Sequence, residues 1–198
     1  MTILGKIYLI KWMFLLVWCA LALVGCQAEG EYSTWPCRFG YDNAIHQDAT
    51  LATAMNVASR GVYCRIYESG SFYVFENNQN MKSQKPKTEQ ERLANQVLGL
   101  NNGIIVGFQT LNQSPNGGFV AYDVQCPNCV RRENNTLNPK FAVALSNTGI
   151  ATCGKCGKKY DLNNGGIVQN GEQGDVGLAK YLATTTGPFG YLSAGTKR

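Results

Sequence analysis

Short apolar runs separated by Gly- and Asn-rich turns make up most of this chain, a pattern that predicts strands rather than helices. Val62-Tyr63-Cys64-Arg65-Ile66-Tyr67 is β-branched and aromatic, and Phe72-Tyr73-Val74-Phe75 follows after Ser69-Gly70-Ser71. That arrangement predicts a hairpin. Asn77 to Lys87 is polar and without period, so it reads as a loop. Thr88 to Leu98 holds good helix formers and predicts one short helix. Strands are expected at Ile104–Phe108, Phe119–Val124, Ala142–Leu145, Gly149–Thr152, Tyr160–Leu162, Tyr181–Thr186 and Tyr191–Ser193. The turns Asn101-Asn102-Gly103, Pro115-Asn116-Gly117-Gly118 and Asn163-Asn164-Gly165-Gly166 separate several of them. With 22 glycines and recurrent short strands, the reading is an all-β sandwich or barrel with at most one short helix.

The first 25 residues break this pattern. Lys6 and Lys11 precede an apolar run from Trp12 to Val24, the layout of an export signal. Leu23-Val24-Gly25-Cys26 resembles a lipobox, which implies cleavage before Cys26 and lipidation of its sulfur. Residue 27 is Gln rather than Asp, which argues against retention at the inner membrane and towards the outer membrane. The expected organisation is a lipoprotein signal peptide over 1–25, a lipidated tether over 26–35 and one β-rich domain over 36–198. Removing 1–25 leaves 173 residues, a typical domain length. The formal charge falls from +5 to +3, because two lysines and no acid leave. That mild balance gives no support to a nucleic-acid partner. Lys82, Lys85, Lys87 and Arg92 lie among Pro86, Glu89 and Glu91 and read as a solvated face.

Cysteine carries the candidate chemistry. The chain has eight cysteines and a single histidine, His46. Cys126-Pro127-Asn128-Cys129 and Cys153-Gly154-Lys155-Cys156 give the spacing C-x2-C-x23-C-x2-C. Two close pairs of soft thiolates suit a tetrahedral metal site. Pro127 fixes a backbone dihedral in the first knuckle, and Gly157 supplies a position able to take positive φ after the second. Lys155, Lys158 and Lys159 are expected to favour the thiolate form. Three readings stay open: one structural metal, most simply Zn2+; a [2Fe–2S] cluster; or disulfides in an exported protein. Thioredoxin-like redox chemistry is not expected, because neither pair is expected in that fold's strand-to-helix setting. Outside this set, Cys37 and Cys64 are natural disulfide partners in an oxidising compartment, with two free buried cysteines as the alternative. Their bridge would stabilise by roughly 3–4 kcal/mol in the chain-entropy model.

The stretch from Phe119 to about Gly195 resembles a Rieske iron–sulfur domain. The carrying residues are Ala121-Tyr122-Asp123-Val124-Gln125-Cys126-Pro127-Asn128, Cys153-Gly154-Lys155-Cys156-Gly157, Tyr160-Asp161-Leu162, Gly165-Gly166 and Leu178-Ala179-Lys180-Tyr181. Residues 32–118, through Trp35-Pro36-Cys37 and Asn101 to Gly107, resemble Bacteroidota lipoproteins that share this Rieske-like end. The resemblance implies a Rieske-like β-domain. It also marks a departure: Asn128 and Cys156 stand where the family has histidine ligands. Cys129, one position on, can take the place of the first, giving a four-cysteine site.

The other candidates are weak. His46 has no nucleophile or acid motif beside it and reads as an ordinary hydrogen-bonded or exposed histidine. Asp42 and Asp48 lack calcium-loop spacing. Asn134-Asn135-Thr136 reads as a polar loop between the knuckles. No catalytic constellation emerges, so the expectation is a lipid-anchored binding or structural module, with an envelope protein or glycan as partner. An electron-transfer protein is the alternative.

Overall fold

A computed structural model describes residues 32–111 and 118–197. The signal segment, Cys26 and most of the Pro115–Gly118 turn lie outside the described residues. Eight strands form one antiparallel sheet. Its order is β1 (Arg38–Asp42), β12 (Tyr191–Gly195), β11 (Lys180–Thr185), β6 (Phe119–Asp123), β5 (Ile104–Phe108), β2 (Tyr63–Ser69), β3 (Phe72–Asn77) and β4 (Lys82–Pro86). A second antiparallel sheet has the order β10 (Ile167–Val168), β9 (Lys159–Asp161), β8 (Ile150–Cys153) and β7 (Val143–Leu145). The β-rich reading therefore holds.

The large sheet curls on itself. Tyr41 on β1 stacks edge-on against Tyr73 of β3 at 5.5 Å, and Phe39 meets the same ring at 5.5 Å. These strands stand six places apart in the sheet, so only strong coiling brings their rings together. The rings fill the interior with Phe75, Leu51, Met55, Ile66, Ile104 and Val106. The helix Ala49–Ala54 packs into this core and is started by Asp48, whose carboxylate accepts from Leu51 N at 2.9 Å.

Strands β5 and β6 are buried on both faces. Ile104, Val106, Phe119 and Ala121 look into the curl. Their alternate neighbours Ile105, Val120 and Tyr122 look out, onto the small sheet and its residues Phe141, Val143, Ala151, Tyr160 and Leu162. A strand with two apolar faces shows a continuous run rather than alternation, which is why Ile104–Phe108 reads as it does. The small sheet is inserted between β6 and β11, which are neighbours in the large one.

Several expectations are corrected. The Asn77–Lys87 loop contains β4, an edge strand paired with β3 in the register Phe72↔Pro86 to Glu76↔Lys82. Its lysines and terminal proline leave no hydrophobic period to detect, the composition by which edge strands resist further pairing. There are four short α-helices among the described residues rather than one. The predicted helix shrinks to Glu89–Leu93, opened by a Thr88–Glu91 capping box. The helices Asn43–His46, Ala49–Ala54 and Pro127–Glu133 are too short to show a helical period. The tether does not reach residue 35: Ser33 N donates to Lys180 O at 2.7 Å, and Trp35 packs on both cores. The compact unit thus begins at Tyr32.

The Cys37–Cys64 disulfide is also overturned. Both thiols are free. Cys37 leads into β1 and Cys64 lies on β2, with β12, β11, β6 and β5 between those strands. Cys37 neighbours Gly99 and Asp123, whereas Cys64 neighbours Asp48 and Glu76. Burial pushes the Cys37 thiol up to about 12 and raises Cys64 well above its ordinary value, so both stay protonated and inert.

Candidate metal centre

The four paired cysteines converge. Their sulfurs all lie within 4.8 Å of one another. Cys126 Sγ and Cys156 Sγ are 3.6 Å apart, and Cys129 Sγ and Cys153 Sγ 3.7 Å. Each close contact joins one pair to the other, so the two knuckles interleave. Cys126, Cys129 and Cys153 are buried; Cys156 is half-buried at the rim.

Local structure places each sulfur. After β6 ends at Asp123, the chain runs antiparallel to residues 141–143. Cys126 N donates to Phe141 O at 2.9 Å and Val143 N to Val124 O at 2.8 Å. Cys126 is then the N-cap of the helix Pro127–Glu133, and Cys129 sits within its first turn. Pro127 occupies the first helical position, where no N–H is needed. The first pair therefore does stand between a strand and a helix, contrary to expectation. The second pair is a turn at the end of β8, closed by Gly157 N donating to Cys153 O at 2.8 Å. Gly157 has φ +72°, the left-handed conformation its position suggested.

A chain of donors leads to the buried rim. The Tyr160 hydroxyl lies 2.9 Å from Cys126 Sγ. Asn128 Nδ2 donates to Tyr160 Oη at 3.0 Å, which leaves the phenolic proton directed at the sulfur. Asn128 also donates to Val176 O at 2.9 Å and accepts from Val176 N at 3.0 Å. Asn128 is thus a brace that orients the hydrogen-bond partner of Cys126. Sequence reasoning saw Asn128 only as an absent ligand and missed Tyr160. The Tyr160-Asp161 motif was its only signal.

The electrostatics are those of four thiols in one small space. Cys153 is lowered to about 5, first by the hydrogen bond from Cys126 and then, against burial, by the N–H groups of Cys156 and Lys155. Cys126 is pushed up in turn, because it supplies the shared proton and is buried. Burial likewise raises Cys129. The lysines contribute less than expected, Lys158 keeping only a weak attraction to Cys156. Lys158 is tied to Asp175 at 2.6 Å and Lys155 to Glu133 at 3.4 Å. Arg132 is the cation set against the sulfurs of Cys129 and Cys156.

Chemically, the set is sulfur-only. His46 is at the other core, its ring stacked on Tyr41 at 4.5 Å and its Nε2 3.0 Å from Glu91. It reads as the hydrogen-bonded residue expected. Four sulfurs at these separations can hold a metal ion. Among known proteins, no family model, no curated protein and no solved structure matches the chain.

Proposed function

We propose that this chain is an exported, lipid-anchored envelope protein whose four-cysteine centre holds one structural metal ion, most simply Zn2+. The protein then works as a binding or structural module. One observation carries the metal reading: the sulfur contacts of 3.6 and 3.7 Å. A tetrahedron with Zn–S near 2.3 Å has edges of about 3.8 Å. Both contacts match such an edge, and the widest separation of 4.8 Å leaves little to contract. A two-iron cluster puts two sulfurs on each of two irons, with bridging sulfides between. Its cross-iron pairs stand farther apart than any edge of one tetrahedron. The sulfur spacing thus favours a mononuclear ion over [2Fe–2S].

A metal here ties two segments that the small sheet alone holds weakly. Ligands come from the N-terminus of the helix Pro127–Glu133 and from the end of β8, a strand of four residues. All four positions carry protein ligands, which is the closed pattern of structural zinc rather than the open pattern of a catalytic site. The lipobox and the Rieske-like boxes support the envelope setting and the ancestry of the frame. The working surface lies outside the centre, with a protein or glycan of the envelope as its partner.

The test is metal analysis of the full-length chain, purified in detergent, beside Cys153→Ser. About one zinc per chain without acid-labile sulfide, lost in the variant, is the expected result. Two irons with two sulfides would instead establish the electron-transfer reading. Absence of metal together with absence of free thiols at the four positions would leave a disulfide-braced module.

A further inference from the structure

A groove of about 570 Å³ opens onto the one sulfur of the centre that is not buried. Its lining includes Cys156, Asn128, Arg131, Arg132, Lys158 and Asp175. Arg132 lines the groove with Cys156, while Arg131 donates to the Gly174 carbonyl at 3.3 Å. Beneath Cys156, 3.6 Å away, lies Cys126 Sγ, fully buried. Cys129 and Cys153 form the second contact, at 3.7 Å. The arrangement sets one accessible sulfur on the groove and three buried sulfurs behind it, with Cys126 in contact with the accessible one.

We propose that the centre is a thiol switch for hydroperoxides, with Cys156 the sulfur attacked and Cys126 the sulfur that resolves it. This rests on the metal reading above. Cys156 thiolate displaces hydroxide (or alkoxide) from the O–O bond, which breaks as an S–O bond forms. The product is Cys156 sulfenic acid: sulfur has lost two electrons and the peroxide has gained them. Cys126 thiolate then attacks that sulfur, the S–O bond breaks, and hydroxide leaves as the Cys126–Cys156 disulfide forms. The two sulfurs close by about 1.6 Å to reach a bond near 2.05 Å. Losing two ligands empties the site. The exposed Cys129–Cys153 pair then takes a second equivalent of peroxide in the same way. A dithiol reductant reverses both bonds.

The pairing is the sharp part. Cys-x-x-Cys motifs ordinarily close within themselves, yet here contacts of 3.6 and 3.7 Å cross from one motif to the other within a set whose sulfurs all lie within 4.8 Å. The groove assigns Arg132 to the entry step, where its charge stabilises the attacking thiolate and the departing hydroxide.

The experiment uses the full-length chain in detergent, reduced and loaded with zinc. Hydrogen peroxide is added in steps, zinc release is followed with a chromogenic chelator, and the disulfides are mapped by peptide mass after alkylation. Release of zinc with Cys126–Cys156 formed first and Cys129–Cys153 second supports the switch. Arg132→Gln should keep its zinc before oxidation and release it about 3–10-fold more slowly under peroxide. Cys126–Cys129 or Cys153–Cys156 as the first bond overturns the proposal. So does zinc retained at peroxide levels that oxidise free cysteine, or a release rate unchanged in Arg132→Gln. Failure of the underlying metal reading is distinct, because the reduced chain would then bind no zinc before any oxidant is added.

Discussion

The two faces of β5 and β6 look into different kinds of core. Inside the curl, Phe39, Tyr41, Tyr73 and Phe75 stack against one another and against Leu51, Met55 and Ile66. That core is held by large apolar area, worth roughly 1.5–3 kcal/mol for each fully buried side chain. On the other face, the small sheet has strands of two to four residues. It presents a core in which Cys126, Cys129 and Cys153 sit among Phe141, Val143, Tyr160 and Leu162. Strands so short are marginal by themselves. The difference teaches where ligands gather: the large sheet closes on long strands by packing, and four sulfurs come together on the side of the short ones.

The largest expected effect tests this contrast directly. On the proposed metal reading, chelation or Cys153→Ser should remove a binding free energy of about 10–16 kcal/mol from the small sheet. Amides of β7, β8 and β9 should lose hydrogen-exchange protection, while those of β2, β3 and β5 keep theirs. Uniform loss across both sheets would show one cooperative core and break the comparison. Acid should act as the chelator does. Cys126 and Cys129 have raised thiol values, so metal must displace their protons, and affinity should fall as pH drops.

Next in size is the converse. Tyr73→Ala or Phe75→Ala should cost about 3–5 kcal/mol by leaving a cavity in the curl. Metal content per folded chain should stay unchanged, as checked by denaturant midpoint and metal analysis. Loss of metal in these variants would show that the curl positions the cysteines more tightly than the contacts indicate.

Asn128→Ala sharpens the boundary. It removes three hydrogen bonds, to Tyr160 and to both backbone groups of Val176. We expect about 1–3 kcal/mol of destabilisation and faster metal loss to a competing chelator. Global unfolding without faster metal loss would mean that the residue braces the Val176 loop and not the centre.

The smallest effect concerns Asp123, which joins β6 to β11 through Tyr181 Oη and accepts from Leu100 N and Gln125 N. Burial raises its carboxyl above the ordinary value despite these three donors. The folded state therefore holds the proton more tightly than the unfolded state. Stability should decline as pH rises from the ordinary carboxyl value through the raised one. Asp123→Asn should flatten that part of a stability–pH profile. A profile that rises there in the wild type would refute the assignment.

Legibility followed the length scale of each signal. The β2–β3 hairpin was readable because Gly70 lies in a turn of two residues between two apolar runs, and its φ of +58° suits a glycine. β5 and β6 were readable because burial on two faces leaves an uninterrupted apolar run. β4 was not, since an edge strand of lysine, serine and glutamine owes its form to β3 alone. β1 escaped because Arg38–Asp42 is a strand only through its pairing with β12, more than 150 residues further along the chain.

The candidate centre divides in the same way. Which atoms can bind a metal is a matter of composition, and the chain by itself determined it: two Cys-x-x-Cys pairs, one histidine elsewhere, and sulfur as the only soft donor. Spacing within a pair is local, so its two sulfurs are bound to lie near each other in any fold. Which sulfur of one pair meets which of the other is not local. It depends on 23 intervening residues folding as β7 and the start of β8. Only the tertiary structure decided that Cys126 faces Cys156 and that Asn128 reaches Tyr160. It also decided that Cys37 and Cys64, a plausible pair by compartment and count, remain free, buried thiols. Proximity along a chain is set by bond geometry, whereas proximity across it is set by which faces must leave water.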